Sequence, residues 1–190
     1  MRTDKNWIIT ATGKQFWPLD PRPEDIDIRD IAHALSLVNR YGGHTPTPYS
    51  VAEHSLYVAE YVAARHGRPL RALLHDASEA YLGDMVRPVK HQLPEFQAAE
   101  DRLQAVIEER FGLTMAGVTE EDRACTKEAD NAILRREQAL FFRPETHPAA
   151  VHIHLPPGTE PLERRSSGWA GCWAVRDEFL SKFKEYGGKP

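Results

Sequence analysis

Apolar residues recur at the spacing of an α-helix through most of this chain, so one side of each segment would face a core. The segment that Asp27 can cap shows the pattern well, since Ile28, Ile31, Leu35 and Val38 fall on one face. The predicted helices are one beginning at Asp27 and ending near 39–43, one from Ser50 to Gly67, one opened by Pro69, one from Pro94 to Phe111, one from Thr119 to about Arg143, and a C-terminal one carrying Trp169 to Phe183. The fold class we predict is therefore all-α.

Two stretches depart from this helical spacing. Residues 7–19 are rich in β-forming side chains on both sides of Thr12-Gly13, which predicts a short N-terminal β-hairpin. Residues 144–167 are rich in proline and predict an irregular surface segment. The alternation of His152 and His154 there would suit an edge strand, but a second metal site is disfavoured because no Cys or Asp supports it.

Length and composition indicate one soluble globular domain, which we place at residues 1–190. Of the 190 residues, 41% are hydrophobic and 27% charged. The net charge of −4 argues against binding to a nucleic-acid polymer, because such binding relies on Lys and Arg neutralising phosphates.

The apolar runs are too short to span a membrane, and nothing at the N-terminus has the composition of a signal peptide. The two cysteines, Cys125 and Cys172, lie in predicted helices and are expected to pack as small apolar groups. We therefore expect a cytoplasmic protein without a membrane partner. An apolar helix face left over after packing would serve a homo-oligomer, which stays open.

The chemistry is concentrated where His75-Asp76 follows an apolar helical run. An imidazole and a carboxylate together suit a borderline divalent transition ion. On a helix, Glu79 would project from the same face as both residues and could hold a water against the ion. The opposite side is apolar at helical spacing, with Leu70, Leu73, Leu74 and Ala77.

One His-Asp pair among nine histidines and 28 acidic residues would by itself be chance. The pair gains weight from His54, in the first turn of one predicted helix, and from Asp130, on another. The order His, His-Asp, distant Asp resembles that of the HD-domain metal-dependent phosphohydrolases. The likeness runs from about Trp17 to Asp130 and rests on Asn39-Arg40, Glu53-His54-Ser55, the stretch from His75 to Glu79, Gly83-Asp84 and Ala129-Asp130.

This resemblance implies an HD-domain helical bundle, to which the hairpin would be an addition. It implies a divalent transition ion (Zn, Mn, Co, Ni or Fe) on His54, His75, Asp76 and Asp130, and leaves room for a second ion such as Mg, Mn or Co. Glu79 would orient or deprotonate the attacking water, while Asp84 would protonate the leaving oxygen or bind the further ion. Arg40, Arg87 and Lys90 would balance phosphate charge; the ordinary alternative for all three is a solvated surface cation.

The implied substrate is a small nucleotide. Two branches of the family are similar to this chain, the bacterial 5′-deoxynucleotidases of the YfbR type and, more closely, the phage dATP triphosphohydrolases of the DatZ type. The second branch would place Trp17, Leu19 and Pro88 beside the base, and the best prediction is a deoxynucleoside triphosphohydrolase that prefers dATP. The alternatives are a 5′-deoxynucleotidase and a non-enzymatic module whose metal is structural or whose pocket senses a nucleotide.

Overall fold

The computed structural model describes residues 2–3, 5–114, 117–142, 162–163 and 169–190, with the side chains of 169 and 170 left out. Its backbone is mostly helical, with one two-stranded antiparallel sheet near the N-terminus. This confirms the all-α class and the predicted hairpin. His152, His154 and most of the 144–167 segment lie outside the described residues.

The two strands are β1 (Ile8–Ile9) and β2 (Gln15–Phe16). The α-helices in chain order are α1 (Ile28–Leu37), α2 (Val51–Ala63), α3 (Pro69–Leu73), α4 (Glu79–Leu82), α5 (Arg87–Lys90), α6 (Pro94–Arg110), α7 (Glu120–Phe141) and α8 (Trp169–Glu185). Short 3₁₀ segments span Pro23–Asp25 and Arg40–Gly43.

The helix starts follow from local capping chemistry. Asp27 accepts a hydrogen bond from the Arg29 N–H at the start of α1, and Ser50 accepts one from the Glu53 N–H at the start of α2. Thr119 and Asp122 form a reciprocal capping box at the start of α7. These caps satisfy backbone donors that have no partner within the helix. They therefore set where His54 and Asp130 fall along their helices.

The hairpin packs onto the helical part of the molecule through β2. Phe16 is fully buried, and its ring stacks on Tyr81 of α4 with the centroids 4.0 Å apart. The turn is fixed from α1, because the Asp30 carboxylate accepts hydrogen bonds from the Thr12 N–H and hydroxyl. The hairpin thus supports α4 from the side.

Helix α2 lies at the centre of the described helices and packs against α1, α3, α7 and α8. Its first nine residues include eight that are buried around the whole helix circumference, among them Glu53 and His54. A helix that is buried all round normally carries apolar side chains, so each polar residue on α2 needs partners from neighbouring helices.

The prediction of one continuous helix over His75 and Glu79 is wrong. Helix α3 ends at Leu73 and α4 begins at Glu79, while the bonds Leu74 O to Ala77 N and Asp76 O to Glu79 N tighten the chain between them. Side chains three residues apart eclipse each other in this tighter winding. Asp76 and Glu79 still share a face, although for a different reason from the predicted α-helical spacing.

Two smaller findings complete the fold. The stretch from Arg87 to Lys90 forms the single helical turn α5. No helix among the described residues combines the length and the apolar character that crossing a bilayer requires.

Candidate metal centre

His54 reaches the site from the first turn of α2 and is fully buried. Its Nδ1 lies 2.5 Å from Oε1 of Glu137 on α7. Its Nε2 is buried without a hydrogen-bond partner among the described residues. A bare imidazole nitrogen in a protein interior is costly unless another group, such as a cation, takes its lone pair.

His75 lies in the tightened turn between α3 and α4. Its Nδ1 is 2.7 Å from the carbonyl oxygen of Ala72, which can only accept, so Nδ1 carries the proton. In the neutral ring Nε2 then holds the lone pair, and it too is buried without a hydrogen bond to the described part of the chain. The backbone therefore selects the tautomer that a metal ligand needs.

Asp76 brings a carboxylate to both bare nitrogens. Its Oδ2 lies 3.1 Å from Nε2 of His75 and 3.7 Å from Nε2 of His54. One ligand atom from each of these three residues lies within 4.8 Å of the others. Two buried Nε2 atoms that make no hydrogen bond with the described residues, together with a carboxylate oxygen, form a donor set that fits a divalent transition ion.

Asp130, the fourth expected ligand, comes from α7. Its Oδ1 lies 3.4 Å from Nε2 of His54, and its Oδ2 accepts a hydrogen bond from Lys127 at 2.8 Å. The structure thus places Asp130 at the edge of the His54, His75 and Asp76 set. Its assignment as a ligand stays a prediction.

Arg40 is almost buried and lies between two carboxylates. Its NH1 is 3.5 Å from Asp76 Oδ2, and its Nε is 3.4 Å from Glu137 Oε2. Burial by itself would raise the pKa of Asp76, but His75, His54 and Arg40 together hold that pKa below its ordinary value. Arg40 therefore balances protein charge before any phosphate arrives.

Glu79 and Asp84 face the same region from α4 and its C-terminal end. Burial, with the nearby charges of Asp76 and Asp84, raises the pKa of Glu79 to about 10, even though Lys90 Nζ lies 3.6 Å from it. Burial also raises the pKa of Asp84. Without a cation, Glu79 holds a proton at neutral pH.

The raised pKa of Glu79 should make the stability of the metal-free protein depend on pH. The folded state keeps the Glu79 proton from the ordinary pKa of 4.5 up to about 10, whereas the unfolded chain has lost it. The free energy of unfolding should therefore fall as pH rises through this window, by at most about 1.4 kcal/mol per pH unit. In Glu79→Gln this contribution disappears. Urea unfolding at pH 6 to 9 with a chelator checks it, and parallel pH profiles for the two proteins would contradict it.

Two supporting residues were not found from the sequence. Gln104 of α6 accepts from the Ser78 N–H at 3.2 Å and donates to the Leu74 carbonyl at 2.8 Å, so one amide joins both ends of the turn that carries His75 and Asp76. Glu137 contacts His54 directly. The sequence did contain a signal for Glu137, because this residue lies four positions after Ile133 on the buried face of α7. A buried carboxylate needs hydrogen-bonding or charged partners.

A cavity of about 440 Å³ opens over this centre. Its wall includes all three predicted phosphate-binding cations and Pro88, together with Tyr41, Gln97, Lys127, Leu134 and Gln138. The structure does not bring the other predicted base-binding residues to this cavity. Trp17 lies under the Arg2 guanidinium at 4.5 Å and donates to the Thr3 carbonyl, and Leu19 is 62% exposed.

No family model matches the chain. It is 45% identical to an uncharacterized protein of Rhodobacter capsulatus over 56% of this chain and 59% of that one. It is 39% identical to the uncharacterized protein YfdR of Escherichia coli over 57% of this chain and 60% of the relative.

A more distant relative has a name that states an activity. The chain is 30% identical to 5′-deoxynucleotidase VP0926 of Vibrio parahaemolyticus over 62% of this chain and 63% of that protein. The alignments thus span about three fifths of the length of each of these relatives.

Proposed function

We propose that this chain is a metal-dependent phosphohydrolase of the HD type that acts on deoxynucleotides, and that it removes the phosphate from deoxynucleoside 5′-monophosphates. The observation that carries the proposal is the pair of buried Nε2 atoms, on His54 and His75, that face Asp76 and make no hydrogen bond with the described residues, at a cavity whose wall carries basic residues. The distant likeness to a protein named 5′-deoxynucleotidase supports the choice of substrate.

His54, His75 and Asp76 would hold the ion, with Asp130 as a fourth ligand. When bound, a divalent ion would polarise a phosphoryl oxygen and lower the pKa of a coordinated water. The described residues contain one set of three ligating side chains this close together, so the proposal requires one ion. The mixed nitrogen and oxygen donors suit Zn, Mn, Co, Ni or Fe.

Glu79 is the acid–base group of the proposal. The field of a nearby divalent cation favours the carboxylate form and so lowers the pKa that burial has raised. Glu79 would then accept a proton from the attacking water. Asp84 also lies at the cavity, and its raised pKa suits a group that gives a proton to the leaving 5′ oxygen.

The three cations predicted to bind phosphate differ in how strongly other side chains hold them. Arg40 is held by Asp76 and Glu137, and Lys90 Nζ lies 2.7 Å from Glu100. Arg87 is exposed and makes no ion pair with the residues that the structure describes. Arg87 is thus the guanidinium that can reorient toward a phosphate at the least cost.

A deoxynucleoside triphosphohydrolase is the second candidate, favoured by Arg87 and Lys127 at the wall of the cavity, where further phosphates would need cations. The preference for dATP stays a prediction, and the position of Trp17 and Leu19 gives it no support. A non-enzymatic module is disfavoured, because a structural site would have no use for Glu79 beside the ligand set.

Incubation of the purified protein with Mn²⁺, Co²⁺ or Zn²⁺ and a nucleotide panel tests the proposal. The panel holds the four deoxynucleoside monophosphates, AMP, dATP and dGTP. Orthophosphate from the deoxynucleoside monophosphates is the expected result. Tripolyphosphate from dATP or dGTP would instead establish the second candidate, and a loaded but inactive protein would indicate the binding module.

The effect of Arg87→Ala on KM should differ between triphosphate and monophosphate substrates. For a triphosphate, Arg87→Ala should raise KM about 10-fold, since a charge-assisted hydrogen bond contributes roughly 1.5–3 kcal/mol. For a monophosphate already held at the metal centre the change should be smaller. Steady-state kinetics of both substrate classes measures this, with Arg65→Ala, an exposed position just beyond the C-terminal end of α2, as the control. Equal KM values in wild type and Arg87→Ala for every substrate would remove Arg87 from the binding site.

A further inference from the structure

Glu137 is a fully buried carboxylate that contacts three hydrogen-bonding side chains and one guanidinium. Oε1 lies 2.5 Å from Nδ1 of His54 and accepts from the Tyr49 hydroxyl at 2.9 Å. Oε2 accepts from the Tyr41 hydroxyl at 2.6 Å and lies 3.4 Å from Nε of Arg40.

The contact with His54 determines which ring nitrogen is free. A carboxylate can only accept, so Nδ1 of His54 must carry the hydrogen toward Glu137. The opposite nitrogen, Nε2, faces Asp76 and Asp130 at 3.7 and 3.4 Å. In the neutral ring, that nitrogen holds the lone pair.

The other oxygen of Glu137 acts on the cavity wall. Tyr41 and Arg40 both line the cavity, and Arg40 also reaches Asp76. One carboxylate on α7 therefore joins a candidate metal ligand on α2 to two residues of the 3₁₀ segment before it.

We propose that Glu137 is a positioning residue that fixes His54 as the Nδ1–H tautomer with Nε2 toward a divalent cation, and that it holds Arg40 and Tyr41 at the cavity through its second oxygen. The inference rests on the proposed function for the identity of the site. Glu137 is not among the residues that line the cavity. It acts through His54, as carboxylates behind metal-ligating histidines do.

Glu137→Gln is the decisive variant because it keeps the volume and removes one acceptor end. If the amide NH₂ turns toward His54, Nδ1 must accept and the ring proton moves to Nε2, which blocks ligation. If it turns toward Arg40, a donor faces a guanidinium. The guanidinium disfavours this second orientation, so the first should predominate and weaken Mn²⁺ binding by about 10- to 100-fold.

The test uses two measurements that need no substrate. Nitrogen-15 NMR of assigned wild-type protein should show His54 protonated at Nδ1, and calorimetric titration should show the loss of Mn²⁺ affinity in Glu137→Gln. Glu128→Gln, an exposed acid-to-amide change on α7, and Tyr49→Phe, which keeps the carboxylate, should each change affinity by less than about 3-fold.

A wild-type His54 protonated only at Nε2 would overturn the inference without any variant, so it stays testable even if Glu137→Gln does not fold. Unchanged Mn²⁺ affinity in a folded Glu137→Gln protein would also overturn it. A protein that hydrolyses no nucleotide but shows both effects would refute the proposed function and leave the role of Glu137 standing.

Discussion

Replacement of His75 by alanine will remove both the bound divalent ion and nucleotide hydrolysis. The substitution deletes one of two buried Nε2 atoms that have no hydrogen-bond partner among the described residues, and Asp76 Oδ2 loses its neighbour at 3.1 Å. With the ion absent, nothing polarises the phosphoryl oxygen. Metal analysis after dialysis and orthophosphate release from the best substrate should both fall to background.

The control for this variant is His66→Asn. His66 is exposed beyond the C-terminal end of α2 and has a positive φ of 58°, a conformation that Asn tolerates. It should retain metal and turnover, which separates loss of the ligand from loss of a histidine in general. A full equivalent of ion in folded His75→Ala would show that the centre is elsewhere.

Glu79→Gln will keep the ion and lose turnover. The amide fills the same volume, and Glu79 is outside the His54, His75 and Asp76 set, so the stoichiometry of the ion should remain that of the wild type. The amide cannot accept the proton of the attacking water, and general acid–base catalysis contributes about 10²- to 10⁴-fold to a rate. A fall of kcat in this range, with little change in KM, is expected.

The control for Glu79→Gln is Glu95→Gln, which makes the same chemical change at an exposed position in the first turn of α6. It should leave kcat unaltered. Wild-type kcat in Glu79→Gln would exclude Glu79 from the mechanism. Loss of the ion together with kcat would make Glu79 a support of the metal centre.

The long helices could be predicted from the sequence because local signals agree with burial. Asp27, Ser50 and Thr119 cap α1, α2 and α7, and the apolar spacing continues to the end of each helix. The short hairpin followed from its Thr-Gly turn. The spacing of apolar residues and the helix caps depend on residues that are close in sequence. They can therefore be recognised without knowledge of the tertiary contacts.

The residues that depend on tertiary contacts could not be predicted in the same way. The tightened turn at His75 and Asp76 is held by Gln104, which is about thirty residues away and follows no motif. The partners of Arg40 were missed for the same reason, because Glu137 meets it only through the packing of α2 and α7. Such contacts produce no periodic pattern in the amino-acid sequence.

The base-binding role of Trp17 stays a prediction. A family likeness placed it beside the base, but the indole packs under Arg2 and bonds to the backbone of Thr3. These partners come from the N-terminal residues before the hairpin, which the likeness did not cover.

The bond between His54 and Glu137 spans 83 positions of the chain, which bears on how the protein folds. Contacts between such distant residues form only after a large loop has closed, and loop closure slows folding. Helix α2 can form early from its own sequence, but His54 gains its orientation only when α7 docks. Capture of the ion should therefore be among the last events of folding, so a nascent chain that ends before α7 would bind metal weakly.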